Sequence, residues 1–180
     1  MERENFVLLI VDVQEGLLKA MNPEVAKQVI KNILTLLSFA KTMGIPILLT
    51  EQYPKGLGPT SPEIRAEMDG IVPIEKVAFS CCRVEEFNKR LDSFRRKQII
   101  LCGIETHVCI LQTAIDLMER GYEVYVVADG VCSRRKMDWE IGLRYLERRE
   151  AMISTTEIIA FQLLKEAGTE EFKRLSRLLK

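Results

Sequence analysis

The stretch LCGIETHVCILQTAIDL, Leu101 to Leu117, holds a cysteine where chemistry is possible. Its first residues are apolar and end in Gly103, the pattern of a buried strand. The rest has two faces, the pattern of a helix. Cys109 therefore falls in the first turn of a helix that follows a strand. If Thr106 caps that helix, Cys109 is its third residue. Free N–H groups and the positive end of the macrodipole would then favour the thiolate, the reactive form. Val108, Leu111, Ile115 and Met118 form one apolar line on this helix, and Ile110, Ala114 and Leu117 widen it. Cys109 lines up instead with Thr113, Asp116 and Arg120. Two readings stay open, a nucleophile or a small core cysteine, the usual fate of a free thiol. Cys102, inside the apolar strand, reads as core.

Other residues could serve such a cysteine. Asp12 ends the apolar run FVLLIVD. A partly desolvated carboxylate there would have the basicity to take a thiol proton. A plain strand terminator or helix cap would look the same. Lys76, in PIEKVAFS, reads equally well as a solvated lysine. At the edge of a crevice it would add little to the core. His107 is the only histidine. Residues two apart on a helix do not face each other, so a Cys109–His107 pair is disfavoured, and a histidine-rich metal site is excluded. DVQEGLL and GIETHVC lack the GxGxxG spacing, which leaves dinucleotide binding without support.

The elements that must position these residues alternate. FVLLIVD reads as a strand buried on both faces. Pro23 to Met43 repeats with helical period through Val25, Val29, Ile33, Leu36, Leu37 and Ala40, opened by Pro23 and closed by Gly44. IPILLTEQ is a second strand, YPKGLGPTSP a loop and KVAF a short strand. Val84 to Phe94 is a helix, and KQIILCG a strand followed by a helix from about Thr106 to Arg120. YEVYVVAD is a strand, Lys136 to Arg148 a helix, AMIST a short strand, and the end is helical. Strands alternating with helices give a parallel sheet covered on both faces. Ligands of such sheets bind beyond the carboxyl ends of the strands, where strand order reverses. If the first strand neighbours IILCG, Asp12 and Cys109 meet at that crevice.

Composition narrows the classes. Lys plus Arg and Asp plus Glu are 26 each, so formal net charge is zero, and no nucleic-acid or anionic-membrane partner is expected. With 180 residues one core suffices without a disulfide or structural metal. The five cysteines are odd in number and lack CxxC spacing, which argues against a disulfide framework or a zinc ribbon. The opening MEREN leads into an apolar run too short to cross a bilayer and without a small-residue cleavage site. The expectation is a cytoplasmic, reduced protein.

LLIVDVQEGL, KVAFS and GIETHVCILQTAIDLMERGYEVYVVADGVCSR resemble the isochorismatase-like cysteine hydrolase superfamily, with Asp, Lys and Cys in the same order across most of the chain. TEQYPKGLGPT further resembles its metal-free, isochorismatase-domain-containing subgroup. The resemblance implies an α/β fold, a Rossmann-like three-layer sandwich with a central, mostly parallel sheet of about six strands, covering 1–180 as one domain. It also implies a catalytic triad: Cys109 as nucleophile, Asp12 as general base and Lys76 as the group that orients the pair and stabilises charge. A cis peptide would precede Glu105, and the backbone N–H groups of Glu105 and Cys109 would form an oxyanion hole. Gln14 matches the family's Asp-x-Gln, and with Gln52, Tyr53 and Ser80 it is expected at the substrate pocket. The nicotinamidase branch binds a metal through an Asp-x-His and a further His after the second strand. TEQYPKGLGPTSP has neither, so no metal and no cofactor is expected. A retained cysteine favours acyl chemistry over vinyl-ether cleavage. The expected activity is metal-independent hydrolysis of a C–N bond in a small amide by a homo-oligomer. The rival is a redox-sensing or binding protein on the same scaffold, with Cys109 oxidised rather than acylated. A sensor needs neither Asp12 nor Lys76.

Overall fold

The computed structural model describes residues 1–179. Six strands form one sheet: β1 (Phe6–Val11), β2 (Ile47–Gln52), β3 (Ile74–Lys76), β4 (Gln98–Ile104), β5 (Glu123–Cys132) and β6 (Met152–Ser154). Their spatial order is β3-β2-β1-β4-β5-β6, and every neighbouring pair is parallel. The chain winds outward from β1 through β2 to β3. It then returns to β4 at the other side of β1 and winds out to β6. The reversal falls between β1 and β4, as the sandwich reading requires.

All six residues of β1 are buried, and they alternate between two cores. Phe6, Leu8 and Ile10 face α1 (Pro23–Met43) and α5 (Thr156–Leu164), against Val29, Ile33, Leu37, Ile159 and Leu163. Val7, Leu9 and Val11 face the opposite layer. That layer comprises α2 (Glu85–Ser93), α3 (Leu111–Glu119) and α4 (Lys136–Arg148), with Phe87, Leu91, Ala114, Leu117 and Leu146. A strand apolar on both sides is the sequence of a sheet covered on both sides. α1 follows the predicted bounds. The Asn22 side chain accepts from the N–H groups of Glu24 and Val25, Pro23 occupies the first turn, and Gly44 closes the helix at φ 65°.

Several boundaries differ from the sequence reading. The predicted strand KVAF begins too late: β3 is Ile74–Lys76, and Lys76 is its last residue. Val77 and Phe79 are largely exposed, because the carbonyls of residues 77–79 turn inward to accept from Gln52 and Lys76. The loop YPKGLGPTSP contains one short helical turn, Pro54–Leu57, and its last residue opens another, Pro62–Ala66. β5 runs three residues past Asp129, with a register shift opposite Cys102. Gly103 sits at φ 125° where an added Cβ would lie 2.0 Å from the Val11 carbonyl oxygen, so only glycine lets β4 meet β1 there. Among the described residues no helix is long and apolar enough to cross a membrane.

The helix phase around Cys109 also differs. Thr106 is not a cap. The cap position is Glu105, and Thr106 opens a π turn, Thr106–Ile110, in which Ile110 N–H donates to the Glu105 carbonyl. Thr113 was placed on a polar line, yet it is fully buried, and its hydroxyl accepts from Cys81 N–H at 3.0 Å. Residues 80–83 pack over that side. Ser80 Oγ and Arg83 Nε both donate to Asp116 there. Covered on two sides, α3 leaves Leu111, Ile115 and Met118 only half-buried, as is Val108 in the turn before it.

Candidate active site

Asp12 follows β1 directly, with a left-handed backbone at φ 54°. Its N–H donates to the Thr50 carbonyl at 3.1 Å, and its carbonyl accepts from Gln14 N–H at 2.8 Å. The side chain is fully buried. Oδ1 accepts from Thr50 Oγ1 at 2.7 Å, and Oδ2 lies 2.6 Å from Lys76 Nζ. An ammonium has three protons. Those of Lys76 go to Gln52 Oε1 at 2.7 Å, Phe79 O at 3.0 Å and Ala78 O at 3.2 Å. Lys76 thus holds Asp12 Oδ2 as a close buried ion pair while its protons also serve the surrounding oxygens. Burial opposes the charge on Lys76, but the Asp12 carboxylate works against it, and the pKa is raised.

Cys109 is buried beside this pair, and Asp12 acts on its thiol both by charge and as a hydrogen-bond acceptor. Burial first, then the Asp12 carboxylate, push that thiol well above the ordinary range, against the pull of Lys76. Burial and the Asp12 charge thus oppose the thiolate that a helix start would favour. Cys81 is fully buried in the same cluster, pushed up to about 12 by burial and by Asp12. All five cysteines are free.

The structure brings Asp12, Lys76 and Cys109 together from the ends of β1 and β3 and from the turn after β4. Glu105 adjoins them through a cis peptide after Ile104. Its carbonyl accepts from Val108 N–H and Ile110 N–H, and its buried side chain accepts from Arg134 N and Nε. His107 is occupied elsewhere, with Nδ1 2.9 Å from Ser133 Oγ.

The four residues expected at a pocket fare differently. Gln14 is fully buried and clamps two loops: Nε2 donates to the carbonyls of Gln52 and Gly58, and Oε1 accepts from Gln52 N–H at 2.6 Å. Gln52 holds Lys76 and donates to the Val77 carbonyl at 2.8 Å. Ser80 is buried and turned to Asp116. Only Tyr53 keeps an open face, 54% exposed beside the strand end. Thr50 was missed. The signal was available: in LLTEQ, Thr50 and Gln52 are polar residues two apart on one face of an apolar strand. Among the described residues no group of three or more His, Cys, Asp or Glu is placed to hold a metal ion.

A parallel α/β sheet with a thiol, a carboxylate and an ammonium gathered near its point of strand reversal defines the class of protein to which the chain can be compared. The comparisons with known proteins agree with that class. The Isochorismatase domain model matches residues 6–158, and the chain belongs to the isochorismatase family, a family of isochorismatase-like hydrolases. Mouse isochorismatase domain-containing protein 2A is 39% identical over 180 residues, 98% of this chain and 84% of that protein. A MAR1 ribonuclease from Caenorhabditis elegans superposes with a TM-score of 0.89 at 33% identity, covering 99% of this chain and 91% of that one. An octameric hydrolase of unknown specificity from Escherichia coli superposes at 0.91 with 25% identity, covering 99% and 88%.

Proposed function

We propose that this chain is a metal-independent cysteine hydrolase acting on a C–N bond of a small amide. The observation that carries the reading is the buried Asp12–Lys76 pair, 2.6 Å apart, beside the Cys109 thiol. Nothing else in the fold requires two opposite charges and a thiol at one strand reversal. As Cys109 sulfur attacks the carbonyl carbon, its proton passes to Asp12 Oδ2. The carbonyl oxygen becomes an oxyanion that accepts from the N–H groups of Glu105 and Cys109. Collapse expels the amine, which takes the proton from Asp12 and leaves a thioester. Asp12 then takes a proton from water, whose oxygen attacks the thioester, and the acid leaves as Cys109 regains its proton. Lys76 keeps its charge throughout and offsets the negative charge that moves between Asp12 and sulfur. Metal independence rests on the lack of Asp-x-His after β2 and on the single histidine.

The test is a panel of small primary amides, with labelled RNA added because the nematode relative is described as a ribonuclease. Protein treated with a chelator should turn over an amide and show the acyl mass on Cys109. Activity lost on chelation and restored by zinc or iron would reject metal independence. Turnover with no adduct on Cys109 under single-turnover conditions would reject the covalent route. The sensor reading fits less well, since sensor thiols are exposed and of low pKa, and Cys109 is neither.

We also propose self-association. Met137, Ile141 and Tyr145 recur every four residues on α4 and are 68%, 55% and 49% exposed, an apolar stripe without a partner in this chain. Sedimentation should give a species heavier than the 20.7 kDa chain at micromolar concentration. A single species of that mass would reject the proposal.

A further inference from the structure

Asp12 has two oxygens with different surroundings. Oδ1 takes a hydrogen bond of 2.7 Å from Thr50 Oγ1, and both groups are fully buried. Oδ2 is paired instead with the Lys76 ammonium, 2.6 Å away. The arrangement is built by β2. Thr50 pairs in register with Val11, the residue before Asp12, and Gln52 pairs with Lys76. Thr50 and Gln52 lie two apart, so their side chains leave the same face of β2. One holds the carboxylate and the other holds the ammonium. Thr50 Oγ1 also accepts from Cys81 Sγ at 3.9 Å, which leaves its single proton for Asp12.

We infer that Thr50 is a positioning residue: by donating to Oδ1 it fixes the Asp12 carboxylate so that Oδ2 is the oxygen that receives the Cys109 proton. The inference rests on the hydrolase reading above. A carboxylate anchored at one oxygen cannot rotate to exchange the two, and proton transfer between heavy atoms falls off with small errors of placement. A buried threonine with no such task would need only a local backbone acceptor, as Thr35 finds in the Lys31 carbonyl.

The experiment uses the full-length protein and iodoacetamide, so no substrate is needed. Alkylation of Cys109 is followed by intact mass and peptide mapping from pH 5 to 10, beside denaturant midpoints. In the wild type Cys109 should be alkylated faster than Cys81, Cys102 and Cys132, at a rate level across the middle of the range. The level region reflects one proton shared by thiol and carboxylate. Thr50→Val keeps shape and branching and removes the hydroxyl. It should lower that level rate about ten-fold and move its acid limb to higher pH by about one unit, since a lost donor favours the neutral carboxyl. Thr50→Ser should restore the wild-type profile within about three-fold, which mere loss of packing would not predict. If Thr50→Val does not fold, Thr50→Ala compared with Thr50→Ser reads the same difference. Asp12→Asn is the control for the reading beneath. It should replace the level region by a rate that climbs with pH. If Asp12→Asn keeps the level region, the base assignment fails. If Asp12→Asn loses it while folded Thr50→Val or Thr50→Ala matches the wild type, the Thr50 inference alone is overturned.

Discussion

Cys109→Ala is expected to bring amide turnover down to the uncatalysed level, and adding Asp12→Asn to it is expected to change almost nothing. The reason is that the two groups share one task. Asp12 takes a proton that only Cys109 gives it, so without the thiol the carboxylate has no proton to take from a nucleophile. Asp12→Asn alone should cost roughly 10²–10⁴ in the acylation rate, the usual loss when a general base is removed. The effect is this large because burial and the same carboxylate both oppose ionisation of the thiol. A thiol already ionised at rest would need no base. The losses are read as single-turnover rates of the two single mutants and the double mutant, with circular dichroism to confirm folding. A double mutant slower than Cys109→Ala by the full Asp12→Asn factor would mean that the groups act independently. Near wild-type turnover in folded Asp12→Asn would remove Asp12 from the mechanism.

The sheet was legible because its strands are apolar on both faces. FVLLIVD and QIILCG can be little else than strands between two helical layers, and their place beside one another follows from chain-order rules. Asp12 and Cys109 were readable as candidates from position alone, one ending a strand and one opening a helix. Lys76 was not. In the bare sequence it is one lysine among 26 basic residues, and its burial depends on three carbonyl and amide oxygens brought round it by residues 52 and 78–79. The burial of Cys109 was hidden for a related reason. The helix terminus is visible in sequence, but the depth of the site beneath residues 80–83 is a tertiary property. The inward hydrogen bonds of Gln14 and Ser80 were hidden likewise, since a polar residue near a motif says nothing of whether its hydrogen bonds close inward or open to a ligand.

Lys76→Met is expected to destabilise the fold by about 3–5 kcal/mol at neutral pH, the cost of leaving one partner of a buried ion pair alone. The crevice lysine of the sequence reading would have cost little. In the structure the Lys76 side chain and the Asp12 side chain both have no exposed surface. Methionine fills most of the volume, so the loss is electrostatic. It leaves a carboxylate without a counter-ion, and Gln52 Oε1 and the carbonyls of Ala78 and Phe79 without that donor. The pH dependence has a definite sign. In the wild type the raised pKa of Lys76 means that the pair's stability is fully present below the unfolded lysine value, about 10.4, and is lost as pH climbs through the higher folded value. In Lys76→Met the lone buried carboxyl favours its neutral form. Its stability is therefore present in acid and lost as pH rises, and the deficit against wild type should shrink towards low pH. Adding Asp12→Asn to Lys76→Met should recover much of the loss at pH 7, because two neutral groups of similar shape replace the pair without stranding a charge. Urea midpoints of the wild type, the two single mutants and the double mutant at pH 5 and pH 7 decide it. A Lys76→Met midpoint within about 0.5 kcal/mol of wild type, on the scale of an ordinary surface substitution, would mean that Asp12 does not depend on Lys76. The charge-offsetting role assigned to this lysine would fall with it.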